Sequence, residues 1–172
     1  MRQGVEPLPQ PKHPVPGGPF SKTEPLMKIR LAGSADRDGW RPLWKAYCAD
    51  QGVDISEQAT ETIWRRIERP NGPTNAVIAV RTSGVTLGFA NFIVHPCTFS
   101  DRLLCFLADL YVDDSSRRQG VGQAMLAYLA SYGCQQGWLR IYWNTDRSNA
   151  RARALYDKIA HWSPYLTYHL DL

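Results

Sequence analysis

This sequence predicts an α+β fold: a central mixed, mostly antiparallel sheet flanked by about four helices. Three observations carry the prediction. Between Asn75 and Val112, short apolar stretches alternate with turns containing Gly or Pro, the pattern of an antiparallel meander. Helical spacing of apolar residues brackets the meander on both sides. One strand-helix-strand passage, across Arg117-Arg118-Gln119-Gly120-Val121-Gly122, adds a single right-handed β-α-β crossover. The resulting order is β-α-α-β-β-β-α-β-α-β.

The first 26 residues differ from the rest. They hold seven of the twelve prolines and three glycines, a composition that disfavours regular structure. A flexible extension over residues 1–26 and a folded domain over residues 27–172 are expected. A chain of 172 residues with 44% hydrophobic content suffices for one sizeable core. Met27 to Leu31 alternates as a short strand. Ser34 to Asp36 offers a helix cap, after which Trp40, Leu43, Trp44 and Tyr47 recur at helical spacing up to Gly52. Ser56 opens a second helix, with Ala59, Ile63, Trp64 and Ile67 on one face. Arg69-Pro70-Asn71-Gly72-Pro73 stops it. Trp40, Trp44 and Trp64 read first as core packing, and the pair of helices also reads as one wall of a substrate pocket.

Asn75 to Arg81 is a strand, Thr82-Ser83-Gly84 a hairpin turn, and Val85 to His95 the next strand, with Gly88 a candidate bulge. Pro96 to Asp101 is expected as a loop and Leu103 to Val112 as the central strand. After the polar turn Asp113 to Ser116 comes a helix, with Val121, Met125, Leu129 and Tyr132 on one face and an end near Gly137. Trp138 to Trp143 is a strand, and Ala152, Leu155, Tyr156 and Ile159 face inward from the last helix. Leu166 to Leu172 alternates as a closing strand.

Net charge is +4, with signs well mixed and no Lys/Arg block. That suits an anionic ligand and gives no footprint for a nucleic-acid partner. No run approaches 18 apolar residues and no apolar leader segment opens the chain. Neither a membrane nor secretion is indicated, and a cytoplasmic location is expected. Cys48, Cys97, Cys105 and Cys134 stand far apart, without the pairing of a zinc site or a disulfide framework. They read as buried free thiols in a reducing compartment, with no metal.

The glycine turn carries the first chemical signal. A helix beginning there presents unpaired N–H groups and the positive end of its dipole, and glycines let a ligand approach the backbone. This is the chemistry of a pyrophosphate cradle. A dinucleotide fold is disfavoured, because Met125 occupies the place of the third glycine and only one crossover exists. A P-loop is disfavoured, because no Gly-Lys-Ser/Thr follows.

The element order, with Leu110-Tyr111-Val112, Arg117-x-x-Gly120-x-Gly122 and Asn149-x-x-Ala152-x-x-x-Tyr156, resembles the GNAT superfamily of acyl-CoA-dependent N-acyltransferases over residues 27–172. Tyr142-Trp143, Leu155-Tyr156-Asp157-Lys158, Trp44-Lys45-Ala46-Tyr47, Ile63-Trp64-Arg65-Arg66 and His95-Pro96-Cys97-Thr98-Phe99 look most like a fungal and bacterial subgroup. That subgroup is assigned to histone, polyamine or D-amino-acid acetylation. His161-Trp162 stands where the family usually has Gly-Phe.

The resemblance implies acetyl-CoA as donor and a GNAT-type sheet. The cofactor-binding residues would be Leu110, Tyr111 and Val112 at the strand end. Arg117, Arg118, Gln119, Gly120, Val121, Gly122 and Gln123 would follow in the turn and helix start, with Asn149 before the last helix. Tyr156 would protonate the departing thiolate; the alternative is a core aromatic. Asp109 is either a base acting through water, an anchor for the substrate ammonium, or a structural pair, since an unpaired charge in that apolar strand is costly. His95 is a third base candidate. Asn149 would fix cofactor or Tyr156 geometry while capping its helix. The implied reaction is direct attack, in a ternary complex, by a small-molecule primary amine. The alternatives are protein lysine or N-terminal acetylation, and a non-catalytic acyl-CoA-binding module. A homodimer is compatible with the subgroup.

Overall fold

The alternating middle of the chain forms most of a five-stranded sheet, and the helically spaced segments pack on its two faces. The computed structural model describes residues 27–170 and residue 172. The order is β1 (Met27–Leu31), α1 (Arg37–Asp50), α2 (Glu57–Ile67), β2 (Thr74–Arg81), β3 (Thr86–Cys97), β4 (Ser100–Val112), α3 (Val121–Gln135), β5 (Arg140–Tyr142) and α4 (Ala150–Ile159). The expected extension over residues 1–26 lies outside the described residues. The strands lie side by side in chain order, with β1 to β4 antiparallel and β4–β5 parallel across α3. The α+β class with a mixed, mostly antiparallel sheet is the one observed.

Period-two alternation divides the sheet between two cores. Val77, Ala79, Ala90, Phe92, Cys105 and Leu107 pack against Val121, Met125 and Leu129 of α3. Ala76, Ile78, Phe89 and Tyr111 turn the other way, against α1 and α2. There Trp40 stacks on Trp44 at 5.4 Å and meets Trp64 at 5.1 Å, so the early tryptophans are core residues. Ser56 caps α2 by accepting from the Ala59 N–H at 3.1 Å, as its position predicts.

Three expectations need correction. The segment Pro96 to Asp101 is not a loop: pairing continues to Cys97↔Ser100, so only Thr98-Phe99 turns the chain, and the register slips beside Pro96. The bulge near Gly88 falls on Leu87, between the pairs Ala79↔Gly88 and Val80↔Thr86. Gly88 serves close packing, since a Cβ there would sit 2.6 Å from the Tyr111 carbonyl oxygen.

The third correction concerns the predicted closing strand, Leu166 to Leu172. Residues 160–170 form no strand, and Trp162 and Tyr168 are 82% and 87% exposed. Alternation assigns side chains to faces, but a strand also needs a neighbouring edge for its backbone. Among the described residues, nothing pairs with this segment.

Candidate active site

β4 opens the site by parting from β5. The parallel ladder covers only Leu104, Cys105 and Phe106, opposite Arg140, Ile141 and Tyr142. From Leu107 to Val112 the β5 side of β4 is unpaired among the described residues, while its other side stays bonded to β3. The ladder to β3 passes from Phe92↔Leu107 to Asn91↔Asp109, which leaves Ala108 as a bulged extra residue. Leu110, Tyr111 and Val112 follow and line a cavity of about 450 Å³.

The turn after β4 forms the next wall. Arg118 and Gly120 both have positive φ, 63° and 79°, separated by one residue. Gly120 is the N-cap of α3 and no side chain bonds to that helix start. The Ala124 N–H donates to the Gly120 carbonyl at 2.9 Å, so the amides of Val121, Gly122 and Gln123 precede the first helical donor and have no acceptor within the helix. Backbone N–H groups gathered in this way form an anion-binding concavity. The donor set therefore fits a pyrophosphate.

Arg117 lines the cavity and is also tied back to the protein. Its Nε donates to the Val112 carbonyl at 2.9 Å, and its guanidinium pairs with Asp50 and Asp114 and lies 5.4 Å from the centre of the Tyr111 ring. Arg118 and Arg151 line the cavity without an ion pair among the described residues. The hollow continues between them toward Asp114. Arg151, in the first turn of α4, was not singled out from the sequence, although it lies two residues past Asn149 and could have been.

α4 supplies the third wall. Asn149 caps it as expected, by accepting from the Ala152 N–H at 3.1 Å, and also lines the cavity. Tyr156 lines the same cavity one turn beyond Ala152, held edge-on against Trp143 at 5.1 Å. Burial pushes its phenol upward from the ordinary value. The structure thus brings the strand end, the glycine turn and the Asn149–Tyr156 block together around one cavity.

Asp109 lies on the α1 side of the sheet, next to that cavity. Burial raises its carboxyl, and hydrogen bonds from Asn91 and Tyr47 oppose the rise. Asn91 Nδ2 donates to Asp109 Oδ2 at 3.0 Å, and the Trp40 indole N–H donates to Asn91 Oδ1 at 3.2 Å. Tyr47, a residue of α1, faces Asp109 and also lines the cavity. His95 is separate from this group: it pairs with Leu104, at the far end of the sheet from the Asn91↔Asp109 pair. Its Nδ1 lies 2.9 Å from the Pro96 carbonyl, which requires a donated proton. In the neutral ring Nε2 is then the acceptor for the Tyr142 hydroxyl at 3.0 Å. Between Asp109 and His95, Ile93, Phe106 and Tyr142 share one face of the sheet. Ile93 and Tyr142 are exposed there.

Comparison with known proteins is consistent with this geometry. Residues 40–162 match the family model described as the Acetyltransferase (GNAT) family. A D-amino-acid N-acetyltransferase, HPA3, of Saccharomyces cerevisiae is 29% identical over 141 residues, covering 81% of this chain and 88% of that one. A mycothiol acetyltransferase of Salinispora tropica is 30% identical, covering 91% of this chain and 51% of its own length. Among solved structures, AAC(6')-Iy in complex with a bisubstrate analog built on CoA superposes with a TM-score of 0.73 at 19% identity, over 85% of this chain and 98% of that one. Among the described residues no helix is long and apolar enough to cross a membrane.

Proposed function

The chain belongs to the GNAT family of acetyltransferases, and from that premise we propose that it transfers the acetyl group of acetyl-CoA to the primary amine of a small molecule, within a domain spanning residues 27–172. One observation carries the reading: two sequence blocks some distance apart, Arg117 to Gln123 apart from Gln119, and Asn149 to Tyr156, line one cavity beside a strand edge unpaired among the described residues. The similarity to a D-amino-acid N-acetyltransferase supports a small amine as acceptor.

Acetyl-CoA supplies an activated acyl group as a thioester. The amides from Arg118 to Gln123 face its pyrophosphate, with the charges of Arg118 and Arg151 beside them. The free edge of β4 from Leu107 to Val112 offers backbone groups to the pantetheine arm, as an added strand would use them. An N–H of the same edge holds the thioester carbonyl and stabilises charge as it builds on that oxygen. The acceptor enters along the open face past Tyr142, Phe106 and Ile93, toward Asp109.

A primary amine with a pKa of about 10 is mostly protonated at neutral pH and must lose a proton before attack. Asp109 accepts that proton, through water where the amine does not reach it. The nitrogen lone pair then forms the C–N bond, the C–S bond breaks, and Tyr156 gives its proton to the sulfur; the second proton, left on the nitrogen after attack, is released through water and restores the Tyr156 phenol. A phenol raised by burial remains neutral and ready to donate.

Two further parts of the reading rest on other features. The free thiols support a reducing cytoplasmic setting, although only Cys48 and Cys105 are buried as expected and Cys134, on the outer side of α3, is exposed. The outward-facing Trp162, Tyr165, Leu166, Tyr168 and Leu170 support a homodimer, which sedimentation would detect.

Release of CoA thiol, followed across a panel of amino acids, polyamines and lysine-containing peptides, tests the function. Turnover with a small amine is expected. Tight CoA binding with no turnover on any amine would overturn it, and turnover on the peptides alone would reassign the acceptor to protein.

A further inference from the structure

Asn91 is 3% exposed and sits in the middle of an apolar strand, Gly88-Phe89-Ala90-Asn91-Phe92-Ile93-Val94. A buried amide is costly unless both of its ends are bonded. Here both are. The Trp40 indole is a pure donor, so its 3.2 Å bond fixes Asn91 Oδ1 on that side. The opposite end, Nδ2, is then the end that meets Asp109 Oδ2, at 3.0 Å. An amide nitrogen only donates, so Asp109 is held as an acceptor. Trp40 cannot swing to release the amide, because it is fully buried and packed against Trp44, Trp64 and Phe89. The Asn91↔Asp109 pair also adjoins the bulge at Ala108, which gives β4 its altered register at this point.

We propose that Asn91 is a positioning residue for the acetyl transfer: clamped by Trp40, it holds the Asp109 carboxylate oriented and ready to accept a proton from the acceptor amine. The inference rests on the assignment of Asp109 as base. It adds a residue two steps removed from the reacting atoms, placed by a donor that has no alternative role. The other groups facing Asp109 are the Tyr47 hydroxyl and the Cys48 thiol of α1, with Tyr156 of α4 beyond Tyr47. None of the ion pairs among the described residues includes Asp109. Asn91 is therefore the neighbour whose geometry most directly favours the ionised form over the protonated one.

The test is the pH dependence of kcat and of kcat/KM for the full chain and for Asn91→Leu, Asn91→Asp and Asp109→Asn. Two acceptor amines of different pKa are used, so that the limb belonging to the enzyme is the one that does not move with the amine. In Asn91→Leu the acid limb should move up by about one pH unit, the scale of one lost hydrogen bond to a charged group. In Asn91→Asp, which keeps an acceptor for Trp40, it should move further, because two carboxyls then share one site. KM for acetyl-CoA should stay within about twofold in both, because the amide is remote from the glycine turn. A limb that stays in place in Asn91→Asp while thermal stability falls makes Asn91 a packing residue and overturns the proposal. A limb that persists in Asp109→Asn places the base elsewhere, which removes the Asp109 assignment and this inference with it. Loss of the limb in Asp109→Asn, with no shift in the Asn91 variants, overturns this inference alone.

Discussion

The Arg117 Nε donates to the Val112 carbonyl at 2.9 Å, tying the first residue of the glycine signature back to the last residue of β4. The same guanidinium bonds Asp50 at the end of α1 and Asp114 in the intervening turn. One side chain thus fixes the strand end, the turn and a helix end together, and the cavity wall takes its shape from that clamp.

Arg117 and its neighbours should therefore separate by phenotype. Arg117→Ala loses charge-assisted bonds in a partly buried setting and should cost about 1–3 kcal/mol of stability, read as a fall in Tm. Arg118→Ala and Arg151→Ala remove charges from the cavity rim without breaking an ion pair among the described residues. Each should raise KM for acetyl-CoA severalfold to about tenfold with Tm unchanged, and less so at high salt. If Arg117→Ala left Tm unchanged while CoA binding weakened, the division of labour would be reversed.

Gly120 tests conformation against space. A Cβ there would meet nothing within 4 Å, yet φ is +79°. Gly120→Ala should cost about 1–2 kcal/mol through backbone strain alone. Gly120→Glu should add the loss of CoA binding, through bulk and negative charge in the pyrophosphate cradle. Calorimetric titration of CoA into both variants distinguishes the two effects; equal affinities would remove the cradle from its proposed place.

Much of this arrangement was legible in the sequence because it rests on local rules. The polar turn, the glycine N-cap of α3 and the Asn149 cap each announce themselves within a few residues. What escaped depends on distant partners. Alternation at Leu166 to Leu172 is real, but no strand edge among the described residues receives it. Asn91 is a lone polar residue in an apolar strand just as Asp109 is, yet only Asp109 drew a reading from the sequence, because their partnership is fixed only by the register of β3 against β4. Arg117 shows its charge in the sequence but not its bond to the Val112 carbonyl, which forms only once the turn folds back on β4.

Tyr156→Phe removes one hydroxyl from a ring that stays packed against Trp143. Turnover should fall by about 10²–10⁴-fold, the usual contribution of a positioned acid, with the Kd for CoA nearly unchanged. The rate on the alkaline side should also lose the limb contributed by the phenol. An equal loss in Kd and in kcat would mean the ring binds the donor and does not protonate the sulfur.

Asp109→Asn separates stability from catalysis through pH. Burial raises the Asp109 carboxyl in the folded protein above its value in the unfolded chain. The folded state therefore binds the proton more tightly. The stabilisation this gives is complete below the ordinary carboxylate range and is lost as pH rises through the folded value. Above that window the wild type holds a half-buried charge, and the neutral asparagine does not. The Tm of Asp109→Asn should therefore exceed that of the wild type by more at pH 8 than at pH 3.5. A gap of a few degrees corresponds to roughly 1 kcal/mol for a chain of this size. The same variant should be nearly inactive at pH 8, since the proton acceptor is gone, so stability and turnover move in opposite directions. A Tm difference independent of pH would mean that Asp109 carries the same charge in the folded and unfolded chains throughout, and its role as a tuned base would not stand.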